Sequence, residues 1–255
     1  MLFDTHAHYY DEQYQHDLPE TISRAIQNGV GYILTASSDI ASSVENITLA
    51  QKHSIFYAAV GVHPHNAADL NNSIISALAD FAENPKVVAI GEIGLDYYYD
   101  NSPREAQKIW FAKQISLARN VKLPIIVHDR DAHMDTVNML KSENAKEVGG
   151  VLHCFTGSVE MAKQVLDMGF MISIAGPVTF KNTKKLIEVV KYVPEDMLLV
   201  ETDSPYLTPE PYRGKRNESA YVKLVAEKVA KIKGRSLDYI SEITTSNAKR
   251  LFGIK

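Results

Sequence analysis

Six of the nine histidines in this sequence follow short apolar runs, at points where a strand would end. They are His6, His8, His63, His65, His128 and His153. Three acidic residues, Glu92, Glu201 and Asp203, occupy similar places. Imidazole and carboxylate groups together bind Zn²⁺, Mn²⁺, Co²⁺ or Fe²⁺, and Mg²⁺ where carboxylates and water dominate. The pattern therefore predicts a divalent-metal site.

The number of candidate ligands exceeds what one tetrahedral ion needs. We count six, namely His6, His8, Glu92, His128, His153 and Asp203. This predicts two divalent ions, with Glu92 central enough to bridge them.

Eight apolar runs alternate with amphipathic stretches and must position these residues. The runs cover 2–5, 32–36, 56–62, 87–90, 124–127, 150–152, 170–174 and 197–200. Such alternation predicts an α/β fold with a parallel sheet, and eight repeats predict a closed (β/α)₈ TIM barrel, a single domain over 1–255. A doubly wound open sheet is the structural alternative. In a barrel, catalytic groups gather at the C-terminal ends of the strands.

Alternate residues of a strand face the same side, which allows a test of convergence. By this count Asp4, His6 and His8 share a side of the first strand, and Val88, Ile90 and Glu92 share a side of the fourth. The same count puts His128 and Arg130 on one side of the fifth strand, and Glu201 and Asp203 on one side of the eighth. On the sixth strand, His153 shares a side with the apolar Val151. We therefore expect the candidate ligands to meet in one barrel mouth.

Composition narrows the class of protein. Hydrophobic residues make up 45% and charged residues 23% of the 255 residues, which disfavours a disordered, collagen-like or coiled-coil chain. No apolar run approaches the ~18 residues of a membrane span, and no secretory signal is visible. The single cysteine, Cys154, fits a reducing cytoplasm and is expected to be a packed core residue rather than a nucleophile. A net charge of −4 disfavours binding of long duplex DNA through its phosphates, but it does not disfavour a site that binds one chain end.

Two further patterns make local predictions. Asp17 and Ser102 each stand three residues before a glutamate, which predicts helices capped by their side chains. A basic cluster of Arg213, Lys215 and Arg216 lies in the loop after the last strand, either as a solvated loop or as an anion-binding group.

Seven segments in order resemble the TatD family of metal-dependent hydrolases. They are FDTHAH at 3–8, GVHPH at 61–65, GEIGLDYY at 91–98, PIIVHDRDA at 124–132, HCFTG at 153–157, ETDSPY at 201–206 and RGKRNE at 213–218. The resemblance implies an amidohydrolase-like TIM barrel with two divalent metal ions. It also implies hydrolysis of phosphodiesters, since several members are deoxyribonucleases that work from a 3′ end.

The resemblance also implies roles for single residues. His6 and His8 would bind one ion with Asp203, His128 and His153 would bind the other, and Glu92 would bridge the two. His63 and His65 would lie near the substrate phosphate, with Arg130 facing the same mouth. Beyond the resemblance, we expect Arg130 and Arg213 to neutralise phosphate oxygens. Also beyond the resemblance, we expect Asp203 to accept the proton of the attacking water and Glu201, on the same side of the strand, to hold a neighbouring group in place. Ser219 stands where many members have proline, a departure that we expect to affect substrate fit.

These observations predict a cytoplasmic phosphodiesterase, most simply a 3′-end deoxyribonuclease that uses metal-activated water. Its partner would be a nucleic-acid 3′ end or a small phosphodiester, with no membrane involved. One alternative is a hydrolase with the same metal site that acts on an amide, ester or lactone. Another is a non-enzymatic scaffold, which would require eroded ligands, whereas all six are intact.

Overall fold

Eight parallel strands form the centre of the molecule in sequence order. A computed structural model of the chain describes residues 1–69 and 71–255. The strands are β1 (Leu2–Ala7), β2 (Val30–Ala36), β3 (Phe56–Val60), β4 (Val87–Asp96), β5 (Ile125–Arg130), β6 (Gly150–Leu152), β7 (Met171–Ile174) and β8 (Leu198–Val200). All eight predicted runs are strands. The largest difference is in β4, which continues from the predicted end at Ile90 to Asp96.

Helices follow the strands and cover the outside of the sheet. They are α1 (Leu18–Gln27), α2 (Ile40–Lys52), α3 (Asn72–Ala82), α4 (Arg104–Val121), α5 (His133–Ser142), α6 (Val159–Asp167), α7 (Lys184–Tyr192), α8 (Val222–Lys233) and α9 (Leu237–Phe252). Within the described ranges, no helix is both long and apolar enough to cross a membrane.

The sheet closes between β1 and the segment that follows β8. The Asp203 N–H donates to the His6 carbonyl at 2.9 Å, and the His8 N–H donates to the Ser204 carbonyl at 2.7 Å. The fold is therefore the predicted (β/α)₈ barrel rather than an open sheet. This closure also brings Asp203 beside the two histidines of β1.

The lower part of the barrel is filled with apolar side chains. Its interior cluster takes residues from all eight strands, and the C-terminal part of α9 adds Phe252 beneath it. Ile126, Val151 and Leu199 belong to this cluster, and the polar His128, His153 and Glu201 each follow two residues later. On β5, β6 and β8 the predicted alternation from apolar interior to polar mouth therefore holds.

The alternation prediction is wrong on β1. Phe3 belongs to the interior cluster, and the Thr5 hydroxyl lies 3.2 Å from the hydroxyl of Ser173 on β7. Asp4 bonds instead to Ser219, which precedes α8 outside the barrel. The pairing register of β1 shifts between Asp4 and Ala7, and this irregularity turns His6 towards the mouth.

The prediction is wrong in the same way on β4. Ile90 packs in the outer core, while both Val88 and Ala89 belong to the interior cluster. The register between β4 and β5 then shifts between Ile90 and Ile93, so Glu92 enters the mouth despite its parity.

Neither predicted side-chain cap forms. The carboxylate of Asp17 is bound by both terminal nitrogens of Arg216, at 2.7 Å each, and makes no cap bond to α1. The hydroxyl of Ser102 donates to the His65 carbonyl at 2.8 Å and accepts the Ala68 N–H at 3.1 Å. Both side chains hold loops of the barrel mouth, because partners from distant segments compete with the local cap.

Candidate active site

A cavity of about 700 Å³ opens at the C-terminal end of the barrel. Its lining contains the candidate residues His8, His63, His65, Glu92, His128, Arg130, His153 and Asp203. His6 lies just beneath, with no exposed surface. The barrel therefore brings all six predicted metal ligands together, from strands and strand ends far apart in the chain.

The first cluster surrounds one oxygen of Glu92. Glu92 Oε2 lies 3.3 Å from His6 Nε2 and 3.6 Å from His8 Nε2. Asp203 Oδ1 lies 3.3 Å from His8 Nε2 and 3.7 Å from His6 Nε2. The two Nε2 atoms face each other at 3.2 Å. Four donor atoms thus converge on one small volume.

The second cluster surrounds the other oxygen of the same carboxylate. Glu92 Oε1 lies 2.7 Å from His128 Nδ1 and 2.8 Å from His153 Nε2. These two ring nitrogens are 3.4 Å apart. The Glu92 side chain therefore stands between the clusters with one oxygen directed at each.

The donor atoms of the clusters suit divalent cations. His8 Nδ1 lies 3.2 Å from the Ala36 carbonyl and donates its proton there, so Nε2 is the nitrogen directed at the cluster. Burial alone would raise the pKa of Glu92, but the nearby His153 and His63 hold it well below its ordinary value. A buried carboxylate ringed by imidazole nitrogens is a donor set that Zn²⁺, Mn²⁺, Co²⁺ and Fe²⁺ accept. These residues could hold a metal.

Comparison with known proteins agrees with this chemistry. The family model described as TatD related DNase matches residues 3–253. The chain belongs to this family. An uncharacterised metal-dependent hydrolase of Bacillus subtilis, YabD, is 50% identical over 254 residues, which cover 100% of both chains.

Two further relatives extend the comparison. The 3′-5′ ssDNA/RNA exonuclease TatD of Klebsiella pneumoniae is 34% identical over 99% of this chain and 98% of its own. The crystal structure of the TatD homologue YJJV from Escherichia coli superimposes with a TM-score of 0.94 at 29% identity, covering 100% of this chain and 98% of that one. The protein is a metal-dependent hydrolase of the TatD family.

In this TatD-family barrel, Glu201 lies below the clusters rather than between them. Its Oε1 accepts the Cys154 N–H at 2.6 Å and is 3.3 Å from His153 Nδ1. Glu201 is fully buried, and its bond from the Cys154 N–H holds the turn after β6. Burial, aided by the charges of Asp203 and Glu201, raises the pKa of the Cys154 thiol well above its ordinary value. The thiol therefore stays protonated and is a poor nucleophile.

His63 lies closer to the ligands than the sequence indicates. Its Nε2 is 3.3 Å from Glu92 Oε1, and its Nδ1 accepts the His65 N–H at 3.2 Å. Burial lowers the pKa of His63 to about 4, so the ring is neutral at pH 7. A neutral ring that accepts through Nδ1 carries its proton on Nε2. His63 thus presents a hydrogen-bond donor to the cavity.

The two predicted phosphate-binding arginines occupy different surroundings. Arg130 lines the cavity, and its guanidinium carbon lies 4.1 Å from the ring centre of Tyr98 and 4.7 Å from that of Tyr99. Arg213 is absent from the described lining and lies over the Phe180 ring at 4.2 Å. Because Arg216 pairs with Asp17, the basic cluster of the sequence is divided among separate partners.

Eight residues of the described lining were not among the predicted site residues, and three of them, Asp96, Tyr99 and Tyr206, bear on the chemistry. Asp96 contacts two histidines of the site, while Tyr99 and Tyr206 stand at the rim with 54% and 51% of their surface exposed. Asp96 is four residues beyond Glu92 on the same strand, so a longer β4 was the signal that could have found it.

One glycine of β4 permits the close approach of its neighbour β5. Gly94 has φ of +148°, and a Cβ built there would lie 2.0 Å from the His128 carbonyl oxygen. Only glycine fits at this position without moving the backbone of His128.

Proposed function

We propose that this protein is a nuclease-type phosphodiesterase that holds two divalent ions and acts on the 3′ end of a single nucleic-acid strand. The carrying observation is an arginine that lines the same cavity as the two clusters and has no carboxylate partner. Arg130 is the only arginine or lysine in the described lining of the cavity, and it forms no ion pair with any described residue. A cation in this place suits an anionic substrate.

We place one ion at each of the two clusters. His6, His8 and Asp203 would hold one, His128 and His153 would hold the other, and Glu92 would be shared. Bound there, divalent ions would supply Lewis-acid activation of water and neutralise charge on a phosphoryl group.

We take Asp203 as the residue that accepts the proton of the attacking water. Burial alone would raise its pKa, but the hydrogen bond with His8 and the charge of His153 hold the pKa below its ordinary value. The carboxylate is therefore ionised at neutral pH. Its side chain is 13% exposed, so it reaches the cavity where water enters. General-base removal typically costs ~10²-fold or more in rate.

We assign two hydrogen-bond donors to the phosphate oxygens. The Nε2–H of His63 points to the ligand clusters, and the guanidinium of Arg130 faces the same mouth from the rim. Because Tyr98 and Tyr99 pack against the guanidinium, less of its motion remains to be lost when an anion binds. His65 lies beside His63, with ring centres 4.3 Å apart, and adds a third nitrogen group to this side.

The rim favours an unpaired strand. Tyr99 and Tyr206 expose aromatic rings on which a base can stack, an interaction worth about 1–3 kcal/mol per base. With Arg130 as the one described arginine or lysine of the lining, the site suits a chain end better than a long duplex. The exonuclease name of the Klebsiella relative supports this substrate class. The cytoplasmic location stays a prediction from the single cysteine.

The test compares two variants on two substrates. Arg130→Ala should lower kcat/KM on a 3′-labelled single-stranded oligonucleotide by about 10- to 150-fold, the equivalent of about 1.5–3 kcal/mol for a charged hydrogen bond. It should change hydrolysis of an uncharged ester little. Asp203→Asn should lose ~10²-fold or more on any substrate that the protein hydrolyses. Metal content of each purified protein is measured in parallel.

Arg235 provides a control outside the cavity, where it lies over the Tyr239 ring at 5.2 Å and pairs with Glu195. Arg235→Ala should leave both rates unchanged. An Arg130→Ala protein that stays fully active on the oligonucleotide, with Asp203→Asn inactive on both substrates, would overturn the nuclease assignment. The amide, ester or lactone hydrolase would then be the better description.

A further inference from the structure

Asp96 ends β4 with no exposed surface and accepts four hydrogen bonds. Its Oδ2 lies 2.9 Å from His65 Nε2 and 3.0 Å from His128 Nε2. Its Oδ1 accepts the backbone N–H groups of Tyr98 at 3.0 Å and Tyr99 at 2.8 Å. A carboxylate offers about four acceptor positions, so these donors occupy them all.

The bond to His128 bears on its role as a ligand. His128 Nδ1 is the nitrogen directed at Glu92 and the second cluster. A histidine binds a cation only through a nitrogen without a proton, so the remaining proton must sit on Nε2. Asp96 accepts at Nε2 and therefore favours the one tautomer that leaves Nδ1 available.

The same carboxylate ties this ligand to the substrate side of the cavity. Through His65 it reaches the loop that carries His63, and through two backbone N–H groups it shapes the turn whose tyrosines pack on Arg130. The backbone of Asp96 is itself held from α4, since its N–H donates to Gln107 Oε1 at 2.8 Å. The Gln107 amide returns a bond to the Asp96 carbonyl at 3.1 Å.

We propose that Asp96 is a positioning residue that sets the tautomer of His128 for metal binding and fixes His65 and the tyrosine turn relative to it. The proposal rests on the assignment of His128 as a ligand under the proposed function. It assigns Asp96 no contact with the substrate.

The test is metal affinity measured without substrate. Asp96→Asn keeps the shape but offers one acceptor oxygen and an NH₂ group that repels the Nε2–H. Loss of such a partner typically weakens metal binding about 10- to 100-fold. Zn²⁺ binding is measured by competition with a chromophoric chelator. Mn²⁺ binding is measured from the electron paramagnetic resonance signal of the free ion. We expect a loss in this range for the ion at His128.

Nuclear magnetic resonance gives a second measurement, the Nε2 proton resonance of His128, which would not change if Asp96 had only a general structural role. In the Zn²⁺-loaded protein, labelled with ¹⁵N in histidine, the Nε2 proton of His128 should be downfield and slow to exchange. It should vanish in Asp96→Asn. Circular dichroism and thermal unfolding in excess chelator check that each variant folds. If Asp96→Asn does not fold, Gln107→Met, which removes the hold on the Asp96 backbone, should show a smaller loss of affinity in the same direction.

Asp129 offers a matched control one residue beyond His128. It is a mostly buried aspartate that accepts from His133 Nδ1 at 2.5 Å and from the Thr136 hydroxyl at 3.1 Å, away from the cavity. Asp129→Asn should bind both ions normally. If Asp96→Asn also binds them normally and keeps the proton resonance, the proposal is wrong. If His128→Ala binds both ions as the wild type does, the ligand assignment is wrong and this proposal is wrong with it. A lack of nuclease activity by itself would contradict the substrate assignment but neither the ligand assignment nor this proposal.

Discussion

Replacement of Ser219 by alanine should destabilise the fold without altering the site. Ser219 is fully buried and absent from the described cavity lining, so the expected effect on substrate fit finds no support in its position. Its hydroxyl donates to Asp4 Oδ2 at 2.6 Å and accepts the Tyr9 hydroxyl at 2.9 Å. The other donors to Asp4 are the N–H and hydroxyl of Thr202. Ser219 thus joins the segment before α8 to β1 and the end of β8.

The magnitude follows from these two bonds. A hydrogen bond to a charged group contributes about 1.5–3 kcal/mol, and a buried hydroxyl left without a partner adds to the cost. We therefore expect Ser219→Ala to lower the free energy of unfolding by about 2–4 kcal/mol. For a chain of this size that corresponds to a decrease in Tm of roughly 5–15 °C. Burial raises the pKa of Asp4 to about 7, so measurement at pH 8.5 keeps the carboxylate ionised.

The assay is urea unfolding followed by circular dichroism, with an unchanged m value as the condition for comparison. Ser142→Ala is the control, because that serine is exposed and should change stability by less than ~0.5 kcal/mol. A Ser219→Ala protein as stable as the wild type would refute the reasoning.

Three other substitutions have distinct expected outcomes. Gly94→Ala must displace the His128 backbone, so Zn²⁺ affinity and kcat/KM should both fall, the latter by ~10²-fold, and unchanged values would contradict the close approach. The hydrogen bonds from Arg216 hold the pKa of Asp17 below its ordinary value. The ionised Asp17 carboxylate therefore stabilises the fold fully above about pH 4, and this contribution shrinks as the pH falls. The difference in unfolding free energy between wild type and Asp17→Asn should narrow between pH 6 and pH 3. Tyr99→Ala should weaken binding of a fluorescent single-stranded oligonucleotide by about 1–3 kcal/mol in anisotropy titrations, with duplex binding unaffected.

Placement of the candidate site followed from local sequence patterns. Polar residues directly after apolar runs identified His128 and His153, because parallel strands of a barrel expose their C-terminal ends at one mouth. The same rule located Glu92, although the strand that carries it was predicted to end at Ile90.

The order of side chains within a strand was less predictable. Alternation is correct only while pairing stays in register, and the shifts in β1 and β4 depend on the neighbouring strands. Asp4 therefore faces Ser219 outside the barrel while His6 faces the mouth, although they are two residues apart.

The sequence by itself determined the strand count, the barrel and the set of candidate ligands that meet in its mouth, because each follows from short-range periodicity or from residue chemistry. Only the tertiary structure decided how polar groups share their partners. It bound Asp17 to Arg216 and placed Arg213 over Phe180 rather than in the cavity. It also made Asp96 the common acceptor of His65 and His128. A hydrogen-bond donor takes the best acceptor that the fold brings within reach, and for these residues that acceptor lies in a distant segment of the chain.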